Sequence, residues 1–257
     1  MRSTLSGVIG ACALVGFISF PGTVLAGPYA PAAGQPGSTA ISKDSPTITA
    51  WATGHVDYVA GAGVTAPFNT PSKAYGPAEG EPGEIVSLGD SGRITLTFAN
   101  PIANGPGADF AVFENSFNDT FLELAWVEVS ADGTNFFRFA NDSLTPNPVP
   151  FLGGSIDPTN LNGLAGKYRG GFGTPFDLAD LGLAQVTHVR LIDVIGDGTA
   201  LDTSGDVIYD PHPTSGSAGF DLDAVGVINQ VPEPTGIAAL AVSALAVMAR
   251  PRHRRVN

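Results

Sequence analysis

One cysteine, Cys12, occurs in 257 residues, and it lies inside an apolar N-terminal run. The rest of the chain has no thiol for a disulfide, a zinc thiolate or a cysteine nucleophile. Positive charge is scarce too. Lys and Arg total 12 against 24 Asp and Glu, a formal net charge of −12, and Arg2, Arg250, Arg252, Arg254 and Arg255 are all terminal. The body of the chain is therefore more acidic than the total. That argues against nucleic acid, whose binding needs clustered cations to displace counterions, and leaves cations or neutral ligands as partners. His55, His188 and His212 are isolated, with no H-E-x-x-H pair. No G-x-S-x-G elbow or phosphate-binding glycine loop occurs. Gly89-Asp90-Ser91-Gly92 is spelled like a serine-protease nucleophile tetrad, but no histidine motif supplies its base, so it reads as a turn. What the chain does have is Gly (33), Pro (21) and Asp, the last mostly beside Gly, Asn, Pro or Ser. That usage is turn chemistry rather than the charged face of a helix.

The long apolar runs lie at the two ends. Arg2 precedes an apolar stretch at 8–20, and Val24-Leu25-Ala26 is an A-x-A-like cleavage site. Residues 1–26 thus have the layout of a signal peptide, with a mature chain beginning near Gly27 and Cys12 removed. At the other end, Val231-Pro232-Glu233-Pro234 leads into an apolar run at 236–249, followed by Arg250, Arg252, His253, Arg254 and Arg255. As a helix this run spans about 21 Å, short of the ~30 Å hydrocarbon core. Its many alanines make insertion weak, which suits a temporary anchor with the arginines held on the cytoplasmic side. The order of parts over 231–257 resembles the PEP-CTERM sorting signal, with Pro232, Glu233, Pro234, Arg252, Arg254 and Arg255 as its matching features. The resemblance implies processing by an exosortase, a membrane transpeptidase, with inner-membrane transit and delivery to the cell surface or extracellular matrix. On the residues alone, an ordinary single-pass C-terminal anchor stays open.

Between these ends lie about 205 residues, enough for one β domain with a substantial core. Residues 27–46 are small and Pro-rich, and read as a flexible lead-in to a domain over 47–230. A first strand is expected at 51–58, followed by an ordered Gly/Pro-rich loop at 60–84. In Arg93-Ile94-Thr95-Leu96-Thr97-Phe98 the apolar residues alternate with the threonines, predicting a strand with one buried face. Residues 109–114 are apolar on both faces, as an interior strand is. Segments 124–130 and 134–140 flank Ala131-Asp132-Gly133, a hairpin signal because Gly tolerates positive φ. Segments 186–194 and 220–229 complete at least six strands. One helix is predicted within the domain, over 174–181, with Thr174 as cap, Pro175 in the first turn and Asp177 closing a T-x-x-D box.

Short strands, abundant turns and little helix predict an all-β chain: an antiparallel jelly-roll-like β-sandwich with long loops, plus the short C-terminal hydrophobic helix. Val127-Glu128-Val129-Ser130-Ala131-Asp132-Gly133 resembles the V-x-V-S-x-D-G hairpin of galactose-binding-like and discoidin-like domains. His188-Val189-Arg190-Leu191 resembles a later strand of the same folds; both bear on fold more than on ligand. Four further stretches resemble, together, a family of bacterial cell-surface proteins over most of 85–229. They are Asp109-Phe110-Ala111-Val112-Phe113-Glu114-Asn115, Asp157-Pro158-Thr159-Asn160-Leu161-Asn162-Gly163-Leu164-Ala165-Gly166, Gly173-Thr174-Pro175-Phe176-Asp177-Leu178 and Gly219-Phe220-Asp221-Leu222-Asp223-Ala224-Val225. Some members of that family are associated with cobalamin uptake. The resemblance implies a binding role; with no catalytic motif in the chain, the expectation is a non-catalytic binding protein whose ligand is a corrinoid or an envelope glycan.

Two stretches carry candidate sites. Segment 193–223 holds Asp193, Asp197, Asp202, Asp206, Asp210, Asp221 and Asp223 among glycines. Calcium takes six to eight oxygen ligands, which loop carboxylates and carbonyls supply, and Asp193, Asp197, Asp221 and Asp223 are the expected ligands. As i and i+2 on a strand, Asp221 and Asp223 are expected on one face, about 7 Å apart. Solvated loop acids with an Arg190 ion pair are the alternative. The long stretch 141–181 offers aromatic faces beside amide and cationic donors: Phe151, Asn160, Lys167, Tyr168, Arg169, Phe172 and Phe176. That set suits a sugar or a flat macrocycle, unless the stretch merely covers the sandwich with its aromatics buried. Two other functions stay open: a structural matrix protein bridging exopolysaccharide through calcium, and a glycan-active enzyme using paired carboxylates such as Glu114 and Glu123. If both ends are processed as read, protein recovered from cells begins at Gly27 and lacks the basic terminus. N-terminal sequencing and intact mass check this, and a C-terminus still at Asn257 would favour the ordinary anchor.

Overall fold

The computed structural model describes residues 26–81 and 83–232. The signal-peptide reading and the sorting signal with its helix at 236–249 fall outside the described residues, apart from Ala26, Val231 and Pro232. The chain folds through thirteen strands: β1 (Ile41–Ser42), β2 (Ala50–Trp51), β3 (Gly54–Val59), β4 (Val86–Ser87), β5 (Arg93–Ala103), β6 (Phe110–Glu114), β7 (Ala125–Ser130), β8 (Phe137–Arg138), β9 (Asp142–Ser143), β10 (Leu161–Asn162), β11 (Phe172–Phe176), β12 (Gln185–Asp193) and β13 (Asp221–Val227). They form one sheet in the order β1-β11-β6-β13-β2, with β4 also on β13, a second in the order β3-β5-β12-β7-β8, and a small β9-β10 ribbon. Each ladder between these strands is antiparallel. The fold is all-β and sandwich-like, as the strand pattern predicted. Among the described residues, no helix is long and apolar enough to cross a membrane.

The core lies between the sheets. Ile94, Leu96, Val127, Val129, Val189 and Leu191 of the second sheet meet Phe110, Val112, Leu222, Val225 and Val227 of the first. The period-2 pattern in β5 puts Ile94 and Leu96 inward, as expected. Strands β6 and β13 are buried along their whole length because the outer face of their sheet is covered as well. There Ala78, Ala111, Phe113 and Ala224 pack against Ile41, Ile48 and Trp51. Gly226 makes room for this layer: a Cβ there would stand 3.0 Å from the Trp51 ring. A third apolar cluster, including Leu122, Leu124, Ile156, Leu164 and Ile208, lies under the long loops.

Several expectations change at this level. Residues 27–46, read as a flexible lead-in, are docked along the domain: β1 pairs with β11, the Gly27 amide donates to Thr159 Oγ1 at 2.6 Å, and Ala33 is buried. Their few apolar side chains suffice because they cap an existing sheet rather than build a core of their own. The strand expected at 51–58 is two strands in different sheets. Ala52 N donates to Val225 O in the first sheet and Thr53 N to Thr97 O in the second, so the chain crosses the sandwich at that step. The helix expected at 174–181 is strand β11 followed by one 3₁₀ turn, Leu178–Leu181. Asp177, not Thr174, caps it by accepting from Ala179 N. Tertiary packing overrides the capping signal here, since Phe176 is held in the core with its ring stacked 5.3 Å from Phe110.

The hairpin at Ala131-Asp132-Gly133 forms between β7 and β8, with Gly133 at φ 74°. Asp132 accepts from the amides of Thr134 and Asn135, and those bonds hold its carboxyl well below the usual range. Phe110 is the hub of the aromatic core, touching both Phe176 and Phe139. Phe110→Ala should cost about 3–5 kcal/mol, read as a lower urea midpoint with unchanged slope.

Candidate functional site

Antiparallel pairing brings the end of β6, the start of β7, the end of β12 and the start of β13 to one end of the sandwich. Glu114 lies opposite Leu222, and Asp193 opposite Ala125. These strand ends carry acids, and the acids are inside. Glu114, Glu123, Asp193, Asp210 and Asp221 are 2, 4, 1, 2 and 8% exposed. Backbone donors hold most of them. Asp193 accepts from Phe220 N at 2.7 Å and Ser91 N at 3.1 Å, Asp210 from Leu124 N at 3.1 Å, and Glu114 from Ser116 N at 2.8 Å. Asp221 accepts from the Ser87 hydroxyl. Glu123 Oε1 is buried with no hydrogen-bond partner.

Burial pushes the carboxyls of Glu114, Glu123, Asp193 and Asp210 well above the usual range, and repulsion among them adds to it. Asp221 is raised to about 6, again chiefly by burial. Each Lys and Arg among the described residues is engaged elsewhere: Lys43 with Asp44, Lys73 with Glu84, Arg93 with Asp57, Arg138 and Arg190 with Glu128, Arg169 with Asp119, and Lys167 with a carbonyl.

Of the expected metal ligands, Asp193 and Asp221 belong to this cluster and the other two do not. A β-bulge between Leu222 and Ala224 interrupts the i, i+2 alternation, and Asp223 accepts instead from Glu79 N and Gly80 N. Asp197 is exposed and caps its own loop through Thr199. Arg190 pairs with Glu128 and lies 3.4 Å over the Phe136 ring, so it is not the partner of these acids either. The expected Gly89–Gly92 turn forms, and its role is to present Ser91 N to Asp193; His212 faces Asp90 at 3.8 Å.

A second acidic group, which the sequence pattern did not reveal, joins Asp142, Asp202 and Asp206, with one oxygen of each within 4.8 Å of the others. Asp202 and Asp206 share one loop, but Asp142 comes from β9 and receives the Tyr29 hydroxyl. No spacing rule would have joined them.

The expected organic-ligand residues are dispersed. Tyr168 is buried, its hydroxyl 2.8 Å from Thr39 Oγ1. Lys167 is buried and donates to Leu161 O at 2.7 Å, and burial lowers its pKa to about 8. Phe176 packs in the aromatic core. Arg169 bonds Asp119 at 2.6 Å and covers the Phe172 ring at 4.8 Å. Phe151 is exposed at 48% and touches Phe121, which touches Phe117. Asn160 is half-buried beside Gly27. A cleft of about 700 Å³ lies elsewhere, lined by Arg138, Phe139, Asn162, Phe176, Asp180 and Thr203 among others. Of the expected set, only Phe176 reaches it. Arg138 is fixed there, bonded twice to Glu128 Oε1 (3.0 and 2.8 Å) and stacked 4.6 Å from Trp126.

No protein-family model matches this chain, and no curated protein is similar to it in sequence.

A raised carboxyl pKa means the folded state prefers the proton. Its stabilisation is complete below the unfolded value and is lost as pH rises through the folded one. For Asp221, with 3.8 raised to about 6, this amounts to roughly 3 kcal/mol, and Glu114, Glu123, Asp193 and Asp210 act in the same direction. In chelator, the melting temperature should therefore fall between pH 5 and pH 8. Calorimetry that finds it unchanged or higher at pH 8 would show the cluster to be ionised and compensated.

Proposed function

We propose that this is an exported, surface-delivered β domain that binds a glycan without chemistry, in the cleft beside β8 and β11. The observation that carries the reading is the lining of that cleft. A guanidinium, a carboxylate, an amide and a hydroxyl (Arg138, Asp180, Asn162, Thr203) converge on a cleft whose floor is closed by the buried Phe139 and Phe176. Sugar hydroxyls need convergent donors and acceptors of this kind. Arg138 is already immobilised by Glu128 and Trp126, so little order has to be imposed on binding. The fold reading that goes with this is a jelly-roll-like, galactose-binding-like sandwich, supported by the hairpin spelled V-x-V-S-x-D-G. Delivery to the surface and exosortase processing rest on the Pro232-Glu233-Pro234 tag, and a corrinoid ligand rests on the family resemblance alone.

A second reading, a matrix protein bridging exopolysaccharide through calcium, is favoured by the convergence of Asp142, Asp202 and Asp206. The acids considered for a glycan-active enzyme, Glu114 and Glu123, are buried.

Calorimetric titration of envelope oligosaccharides into the purified chain should give saturable binding. Asp180→Ala and Asn162→Ala should each weaken it about tenfold, the worth of one well-placed hydrogen bond, at unchanged melting temperature. Saturable binding of cyanocobalamin alone would move the ligand class to corrinoids. A flat titration from folded protein, or affinity indifferent to both variants, would remove the cleft as the site.

A further inference from the structure

The outer face of the second sheet gathers positive charge in a chain that is otherwise acidic. Register places Asp57, Thr95, Arg190, Glu128 and Arg138 opposite one another, one from each of β3, β5, β12, β7 and β8. Residues flanking this row, such as Leu96, Val127 and Leu191, fill the core, so alternation turns the row outward. Two of its guanidiniums share a single carboxylate. Arg138 Nε and Nη2 donate to Glu128 Oε1 at 3.0 and 2.8 Å, and Arg190 Nη1 lies 3.5 Å from Glu128 Oε2. Asp57, at the end of the row, is taken by Arg93 at 2.6 Å. Elsewhere among the described residues each Lys or Arg has a carboxylate of its own, or in the case of Lys167 a carbonyl. The Arg138–Glu128–Arg190 group therefore has one positive charge more than its carboxylate balances.

Both guanidiniums are held in place. Arg138 stacks 4.6 Å from Trp126, Arg190 lies 3.4 Å over Phe136, and Arg190 Nε donates to Thr95 Oγ1 at 3.1 Å. A guanidinium has five N–H donors, so these bonds leave the Nη1 group of Arg138 and the Nη2 group of Arg190 uncommitted. The Arg138 side chain is 40% exposed and lines the cleft, whereas Glu128, between the two arginines, is 14% exposed. Building on the glycan reading of the cleft, on which this rests, we infer that the ligand is an acidic glycan. The carboxylate of a uronic acid unit is bound by Arg138, and Arg190 supports it from outside the cleft. A carboxylate presents two oxygens in the geometry a guanidinium fork matches. Glu128 alone would cancel the charge of Arg138. Because Arg190 draws on the other Glu128 oxygen, Arg138 meets the ligand with net attraction. Asp180, exposed in the same lining, repels a carboxylate and so confines it to the Arg138 side. The net charge of −12 on the whole chain acts weakly at this spot, because the Debye length is about 8 Å at ~0.15 M salt.

The test titrates acidic envelope oligosaccharides into the purified chain at ~0.15 M salt, beside the same oligosaccharides with each carboxyl reduced to a primary alcohol. The acidic form should bind about tenfold tighter or more, the worth of one charge-assisted hydrogen bond. Arg190→Gln should lower the affinity for the acidic form toward that of the reduced form. It should leave the reduced form's affinity unchanged, since Arg190 does not line the cleft. Glu128→Gln should act oppositely and tighten binding of the acidic form alone, and it decides the matter if Arg190→Gln does not fold. Equal affinity for the acidic and reduced forms would overturn the inference and leave glycan binding in the cleft intact. So would an acid preference that neither variant changes. Failure of folded protein to bind either form would remove the cleft reading, and this inference with it.

Discussion

Burial of one sheet on both faces is the constraint from which the rest of this structure follows. β6 and β13 have no solvent side, so the first sheet needs a second layer over Phe113 and Ala224, and the chain supplies it from Ile41, Ile48 and Trp51. That requirement docks the N-terminal segment, places Gly at 226 beneath the indole and sends the chain across the sandwich at Ala52–Thr53. It also explains why acids at the ends of those strands are enclosed. A strand covered on both faces carries its terminal side chains into the interior unless a loop turns them away, and here loops 115–124 and 194–220 close over them instead.

The same residue type behaves in opposite ways according to where it falls in this scheme. Asp132 and Asp197 sit in exposed turns, accept hydrogen bonds from the next residues, and are more acidic than usual for that reason. Asp193 and Asp210 also neighbour turn-rich segments and also accept backbone amides, yet burial outweighs those bonds and makes them less acidic. Two amide donors stabilise a carboxylate, but they do not replace a full hydration shell. The distribution of cations sharpens the contrast, since each guanidinium among the described residues is committed to a partner outside the cluster.

What the sequence made legible was local. Alternation of Ile94 and Leu96, the unbroken apolar run in 109–114 and the Asp-Gly hairpin after Ser130 each report a property of a few adjacent residues, and each is present in the fold. What it hid depends on contacts between distant segments. Trp51 and Tyr58 share one apolar pattern, but nothing in it says that the backbone changes sheets between them. Thr174, Pro175 and Asp177 spell a helix start, and only the pull of the aromatic core on Phe176 makes Thr174 and Pro175 a strand and leaves Asp177 to cap the 3₁₀ turn behind it. Tyr168 and Lys167 look like ligand contacts because aromatic and cationic residues are scarce here; their partners, Thr39 and the Leu161 carbonyl, are set by folding. The acidic segment was visible as composition. That Asp193 and Asp221 would be enclosed at one end of the sandwich, while Asp197 would stay exposed in its loop, is a matter of strand register.

The exit of the chain gives the molecule a direction. β13 begins at the acidic end with Asp221 and runs the full height of the sandwich to Val227. The last described residues are then held against β5, where Val231 N donates to Pro101 O and Gln230 bridges Ile102. Whatever Pro232 is tethered to is therefore joined to the opposite pole. An attachment made through Pro232 would therefore leave the pole that holds the buried carboxylates facing away from it.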